Sequence, residues 1–89
     1  MSGIRYDLPY LKDAYGQEYP CTSLLKDIEF QPKTGDIFYT IKIIGVDRIS
    51  IRNLFLFMNE TEMNIKFEEL WQTFVEQQKK IMEEKKKWI

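Results

Sequence analysis

The side chains able to move a proton, attack a carbon or hold a metal are few in this chain. Cys21 is its single cysteine, histidine is absent, and fourteen carboxylates stand against thirteen lysines and arginines. Without histidine, acid–base work near neutral pH would fall to paired carboxylates or a perturbed lysine. The carboxylates do not pair. Glu68–Glu69 and Glu83–Glu84 are neighbours in a helical stretch, so their side chains diverge by about 100°. Asp13, Glu18, Asp27, Glu29, Asp36 and Asp47 fall in or beside predicted turns and strands, where turn chemistry accounts for them.

Ligand chemistry is equally sparse. A zinc site takes four Cys, His or carboxylate ligands at characteristic spacing, and one cysteine with no histidine does not supply them. Asn59–Glu62 lacks the glycine and the length of a calcium loop. Gly3, Gly16, Gly35 and Gly45 are isolated and form no phosphate-binding loop. The sequence therefore predicts no catalytic residue, no metal and no cofactor, and Cys21 reads as a small buried hydrophobe in a reducing compartment.

What remains suits binding. Tyr10, Tyr15 and Tyr19, with Tyr6, crowd an N-terminal stretch with few aliphatic residues, and tyrosine is enriched where one side is dry and the other wet. Lidding one end of a small barrel would use the same rings. Arg48 and Arg52 carry forks that match carboxylate and phosphate, or are the polar alternation opposite Ile49 and Ile51. Partner binding is assigned to Tyr10, Tyr15, Tyr19, Arg48, Arg52 and Trp88, and an oligomer interface to Ile81, Met82, Trp88 and Ile89.

The elements that position these residues follow from a change of hydrophobic period near residue 60. Ile37, Tyr39, Ile41 and Ile43 alternate, as do Ile49 and Ile51, which is the pattern of strands. Phe67, Leu70, Trp71, Phe74, Val75, Ile81 and Met82 recur at helical spacing. Strands are expected within Met1–Lys12, as an edge strand or an extended arm because of Pro9, and over Gln17–Leu24, Asp27–Gln31, Ile37–Ile44 and Ile49–Phe57, with Pro20 confining the second to an edge. Pro32–Asp36 and Gly45–Arg48 read as hairpin turns. Ile37–Ile44, apolar on both faces, should be central, and Leu54–Phe57 should need cover on its second face from the helix.

Two readings compete for the start of the helix. Asn59 caps it, with Glu62 at the third position and Met58 stapled to Met63, or Met63, Ile65 and Phe67 form a sixth strand and the helix begins near Glu68. A start between residues 60 and 66 is favoured. The pairs Glu76–Lys80 and Glu83–Lys87 should support the helix, and Lys85, Lys86 and Lys87 suit the negative end of its dipole. A helix from residue 65 spans about 35 Å, so its last two turns outrun a small sheet.

The expected fold is α+β: a small antiparallel β-sheet or SH3-like barrel of about five strands, followed by one long C-terminal amphipathic helix. Residues 1–89 form a single domain, β-rich over 1–58 and helical over 60–89. No signal-peptide pattern and no apolar run of about 20 residues is seen, which predicts a cytoplasmic protein.

The function expected is a non-enzymatic protein–protein interaction module, such as an inhibitor, adaptor or complex subunit, of the size of phage- or mobile-element-encoded effectors. A nucleic-acid or nucleotide binder using Arg48, Arg52 and the C-terminal lysines is the first alternative. A homo-oligomeric structural protein, with a homodimer as its simplest form, is the second.

Overall fold

The computed structural model describes residues 8–86. Its element order is β1 (Tyr10–Lys12), β2 (Glu18–Pro20), β3 (Ser23–Gln31), β4 (Asp36–Ile44), β5 (Ile51–Phe57) and α1 (Glu60–Lys86). β1 and β2 form an antiparallel ribbon, and β3–β4–β5 form a separate antiparallel sheet with β4 in the centre. This is the expected α+β arrangement in its sheet form, since the strands do not close into a barrel. No helix among the described residues is long and apolar enough to cross a membrane.

The break between ribbon and sheet corrects the expected strand Gln17–Leu24. Pro20 has no N–H to extend the ladder, and the next two residues turn their groups elsewhere. The Cys21 amide donates to the Pro9 carbonyl at 3.0 Å and the Thr22 amide to the Ile44 carbonyl at 2.8 Å. Leu24 therefore belongs to β3, opposite Ile43, and β3 starts at Ser23 rather than near Asp27.

Turn chemistry sets the remaining strand ends. Gly35 takes φ 75° in the β3–β4 loop and its amide donates to the Gln31 carbonyl at 2.7 Å. The β4–β5 connection is longer than the alternation of Ile49 and Ile51 implies, because Asp47 Oδ1 accepts the amides of both Ile49 (3.0 Å) and Ser50 (2.8 Å). Those donors are thus taken from the ladder, and β5 begins at Ile51.

A bulge explains the apolar run at the end of β5. Ile41 pairs with Phe55 but Lys42 pairs with Asn53, so Leu54 is an extra residue. Leu54 is buried and Phe55 and Phe57 pack against the core with it, whereas Leu56 is 55% exposed. The helix covers one face of β5. The expected cover on the second face is not needed by three of the four residues, which the bulge sends to the same side.

The helix carries the other half of the core. Met63, Leu70 and Phe74 are buried at spacings of seven and four, with Phe67 packed beside them, against Leu24, Ile41, Ile43 and Leu54. Trp71 stacks between Phe67 and Phe74, at centroid distances of 6.2 and 5.7 Å. Asn59 caps the helix, its Oδ1 accepting the Glu62 amide at 3.2 Å. The sixth-strand reading fails because alternation would place Ile65 beside Met63, and Ile65 is exposed. Met58 is also exposed, so Met63 is held by the sheet rather than by a staple.

The ribbon is fastened by Leu11, which is buried in the core cluster, and by one polar side chain of the helix. The Tyr10 amide donates to Gln77 Oε1 and Gln77 Nε2 donates to the Tyr10 carbonyl, both at 2.7 Å. The Gln77 amide thus satisfies both backbone groups that a neighbouring strand would otherwise engage. Beyond it Ile81 is half-buried and Met82 exposed. Of the expected helical ion pairs, Glu76–Lys80 is not formed; Lys66–Glu69 at 3.9 Å is the pair on the described helix. Lys87 lies outside the described residues.

Replacing Phe74 with Ala empties the centre of this interface and is expected to destabilise the fold by about 3–5 kcal/mol. Urea unfolding followed by circular dichroism measures it, and a loss below about 1 kcal/mol would place the core elsewhere.

Candidate interaction surface

At the ribbon end of the sheet, the β4–β5 turn and its flanks gather three of the sequence-assigned side chains, Tyr19, Arg48 and Arg52, and several that the sequence reading did not assign. The turn is closed on itself. Gly45 donates to the Ser50 carbonyl at 2.8 Å, Arg48 donates to the Gly45 carbonyl at 2.9 Å, and Asp47 receives the Ile49 and Ser50 amides and the Ser50 hydroxyl. The Ser50 hydroxyl, followed by the two amides, pulls the Asp47 carboxyl down to about 2. A charged carboxylate in the middle of the turn therefore organises its backbone.

The apolar side chains of this rigid turn point outward. Ile49 is 81% exposed and Ile51 60%, with Val46 also exposed. Beside them the Arg52 guanidinium lies over the Tyr19 ring, 4.3 Å from its centroid. Tyr19, Arg52, Val46 and Ser50 border a shallow depression of about 230 Å³. An arginine stacked on a tyrosine beside exposed β-branched residues has the composition of a protein-binding hot spot.

The other assigned residues are spread out. Tyr10 is half-buried with its backbone held by Gln77, and Tyr15 stands 91% exposed at the tip of the β1–β2 turn. Arg48 faces a second cleft with Thr22, Ile44 and Gln78. Ile81 and Met82 lie near the end of the described helix, and Trp88 and Ile89 lie outside the described residues. The structure thus joins Tyr19 with Arg52 and places Arg48 on the same turn, but it does not bring Tyr10, Tyr15 and the helix end into one site. The lysines Lys79 and Lys80 are exposed, as a solvated face requires.

A second apolar cluster, absent from the sequence assignment, sits at the other end of the sheet. Phe30 pairs with Ile37 across β3 and β4, Ile28 is two residues away on the same face, and all three are exposed. Only their place beyond the start of the helix leaves them uncovered, which no alternation pattern reveals.

Polar clusters elsewhere are structural. Lys42 Nζ binds Asp27 at 2.7 Å and Glu29 at 3.2 Å, which raises the Lys42 pKa and lowers that of Asp27, each chiefly through their mutual hydrogen bond. Buried Thr40 donates to the Asp27 carbonyl at 3.4 Å beside them. Cys21 is fully buried, and desolvation pushes its thiol up to about 11, so it stays protonated and unreactive at neutral pH. Among the described residues no three His, Cys, Asp or Glu side chains are grouped to hold a metal ion.

Comparison of the chain with protein-family models, curated proteins and solved structures gives no match.

Because the Asp47 carboxyl titrates lower in the fold than its ordinary value near 4, its support of the turn is complete above that value and is lost as pH falls toward 2. Asp47→Asn is expected to flatten that part of the acid limb when melting temperature is followed between pH 5 and 2. An unchanged acid limb would remove Asp47 from its organising role.

Proposed function

We propose that this protein acts by binding another protein through the β4–β5 turn and the adjacent Tyr19–Arg52 pair, with no chemistry of its own. The observation that carries the reading is Ile49. A β-branched apolar side chain held outward by a turn that its neighbour Asp47 rigidifies is pre-ordered for contact, so little conformational freedom is lost when a partner covers it. Arg52 adds a fork and Tyr19 a flat apolar ring, two of the side-chain types in which interface energy concentrates.

Three further features support binding over catalysis. The described depression is shallow and without a carboxylate pair, the sole cysteine is a buried thiol, and the acidic group nearest the surface is engaged by its own turn. An inhibitor, adaptor or complex subunit, cytoplasmic and phage- or mobile-element-encoded, fits a chain of this size, where a rigid exposed patch is the main asset.

Ile49→Asp and Arg52→Ala are expected to weaken capture of the partner from source-cell lysate by about 2 kcal/mol or more, roughly thirtyfold, while the melting temperature stays nearly unchanged. Retained capture by both variants, with loss in Ile28→Asp or Phe30→Asp, would move the interface to the β3–β4 end. Capture of nucleic acid instead, falling steeply with salt, would replace the reading with a phosphate-binding one. A dimer mass abolished by Ile49→Asp, with nothing else captured, would make the partner a second copy.

A further inference from the structure

Arg48 is the one non-glycine residue among those described with positive φ, at 64°. The left-handed region strains any side chain with a Cβ and is ordinarily given to Gly or Asn. Nothing in the turn requires arginine, because the ring of hydrogen bonds through Asp47 and Gly45 uses only the Arg48 backbone. Strain held in place by surrounding structure points to a use for the side chain.

That side chain borders a cleft of about 420 Å³ between the ribbon, the β4–β5 turn and α1. Its apolar lining is Leu8, Pro9, Cys21 and Ile44, and its polar lining is Thr22, Gln78 and Arg48. Among the described residues no acidic side chain lines it, and none of the described ion pairs involves Arg48. Asp47, its sequence neighbour, is occupied by Ser50 and two amides. The Thr22 hydroxyl is within donating distance of the Ile44 and Gly45 carbonyls, at 3.3 and 3.2 Å. Arg48 is left as the cleft's cation and Gln78 as a neutral donor.

We propose that this cleft binds a single carboxylate carried on a compact apolar group, with the carboxylate on the Arg48 guanidinium and the apolar part against the partly exposed Leu8 and Ile44. A guanidinium matches a carboxylate in a bidentate way. One cation balances one negative charge, whereas a phosphate monoester brings about 1.5 to 2 at neutral pH and finds no second cation among the described lining residues. The apolar floor in turn favours a ligand that is not charge alone. Two sources share this chemistry: the C-terminal residue of a polypeptide and a free short-chain carboxylic acid. The cleft is distinct from the Ile49 surface, so either reading stands or falls without the other.

Titration of the full chain, labelled with ¹⁵N, tests it with N-acetyl-leucine, hexanoate, hexanol and inorganic phosphate. Saturable shifts at Thr22, Gly45, Arg48 and Gln78 are expected with the two carboxylates and not with hexanol or phosphate. Tighter binding of N-acetyl-leucine assigns a peptide terminus as the source, and tighter binding of hexanoate a free acid. Arg48→Gln should weaken binding at least tenfold and Arg52→Gln should leave it unchanged. Arg48→Gly should abolish binding and raise the melting temperature by a few degrees through relief of strain. Absence of saturable shifts with both carboxylates, equal binding by Arg48→Gln, or a lower melting temperature in Arg48→Gly would overturn the proposal.

Discussion

The packing of one helical stripe on one face of a three-stranded sheet is the interaction on which the other features depend. Met63, Phe67, Leu70 and Phe74 meet Leu24, Ile41, Ile43 and Leu54, and these residues account for most of the described core. At roughly 25 cal/mol per Å² of apolar surface buried, a cluster of this size is the main stabilising contribution available to so short a chain. Everything outside that contact must be fastened separately. The ribbon is fastened by Leu11 in the core and the Gln77 amide on Tyr10, the β4–β5 turn by the Asp47 carboxylate, and the edge strand β3 by its full-length ladder to β4, across which Lys42 reaches Asp27 and Glu29.

That arrangement also decides what is left uncovered. Ile28, Phe30 and Ile37 at the far end of the β3–β4 hairpin are left exposed, as is Met82 near the end of the described helix. The Val46, Ile49 and Ile51 group differs from both in being fixed by local hydrogen bonds rather than merely left over. An exposed apolar turn fixed by its own hydrogen bonds and flanked by arginines would lose little freedom on being covered, and this is the ground on which the proposed interface is put there rather than at the other exposed apolar groups.

Elements governed by strong periodicity were legible in the sequence. The central position of Ile37–Ile44, the helix from Phe67 onward and the cap at Asn59 follow from patterning and capping chemistry that act over three or four residues. The misread boundaries have a different cause. Thr22 and Asp47 divert backbone donors into side-chain or cross-element bonds, and the bulge at Leu54 changes face in the middle of an apolar run, so local alternation loses its meaning there. Of the residues proposed for binding, Arg48, Arg52 and Tyr19 could be singled out by type, but their neighbours Val46 and Ile49 looked like strand or turn filler. Their exposure follows from where the turn stops pairing, which is a tertiary fact.

Native-state amide hydrogen exchange tests the central claim, a single helix-on-sheet core bearing a pre-ordered turn. Amides within Ile41–Ile44 and Met63–Phe74 should exchange only on global unfolding, and those of Lys79–Glu84 should exchange rapidly. The decisive amides are Gly45, Arg48, Ile49 and Ser50, whose protection should exceed that of the helix end although the Ile49 side chain lies in solvent. Exchange of these four as fast as Lys79–Glu84 would contradict the account, because the turn would then be a mobile loop with no fixed surface to present.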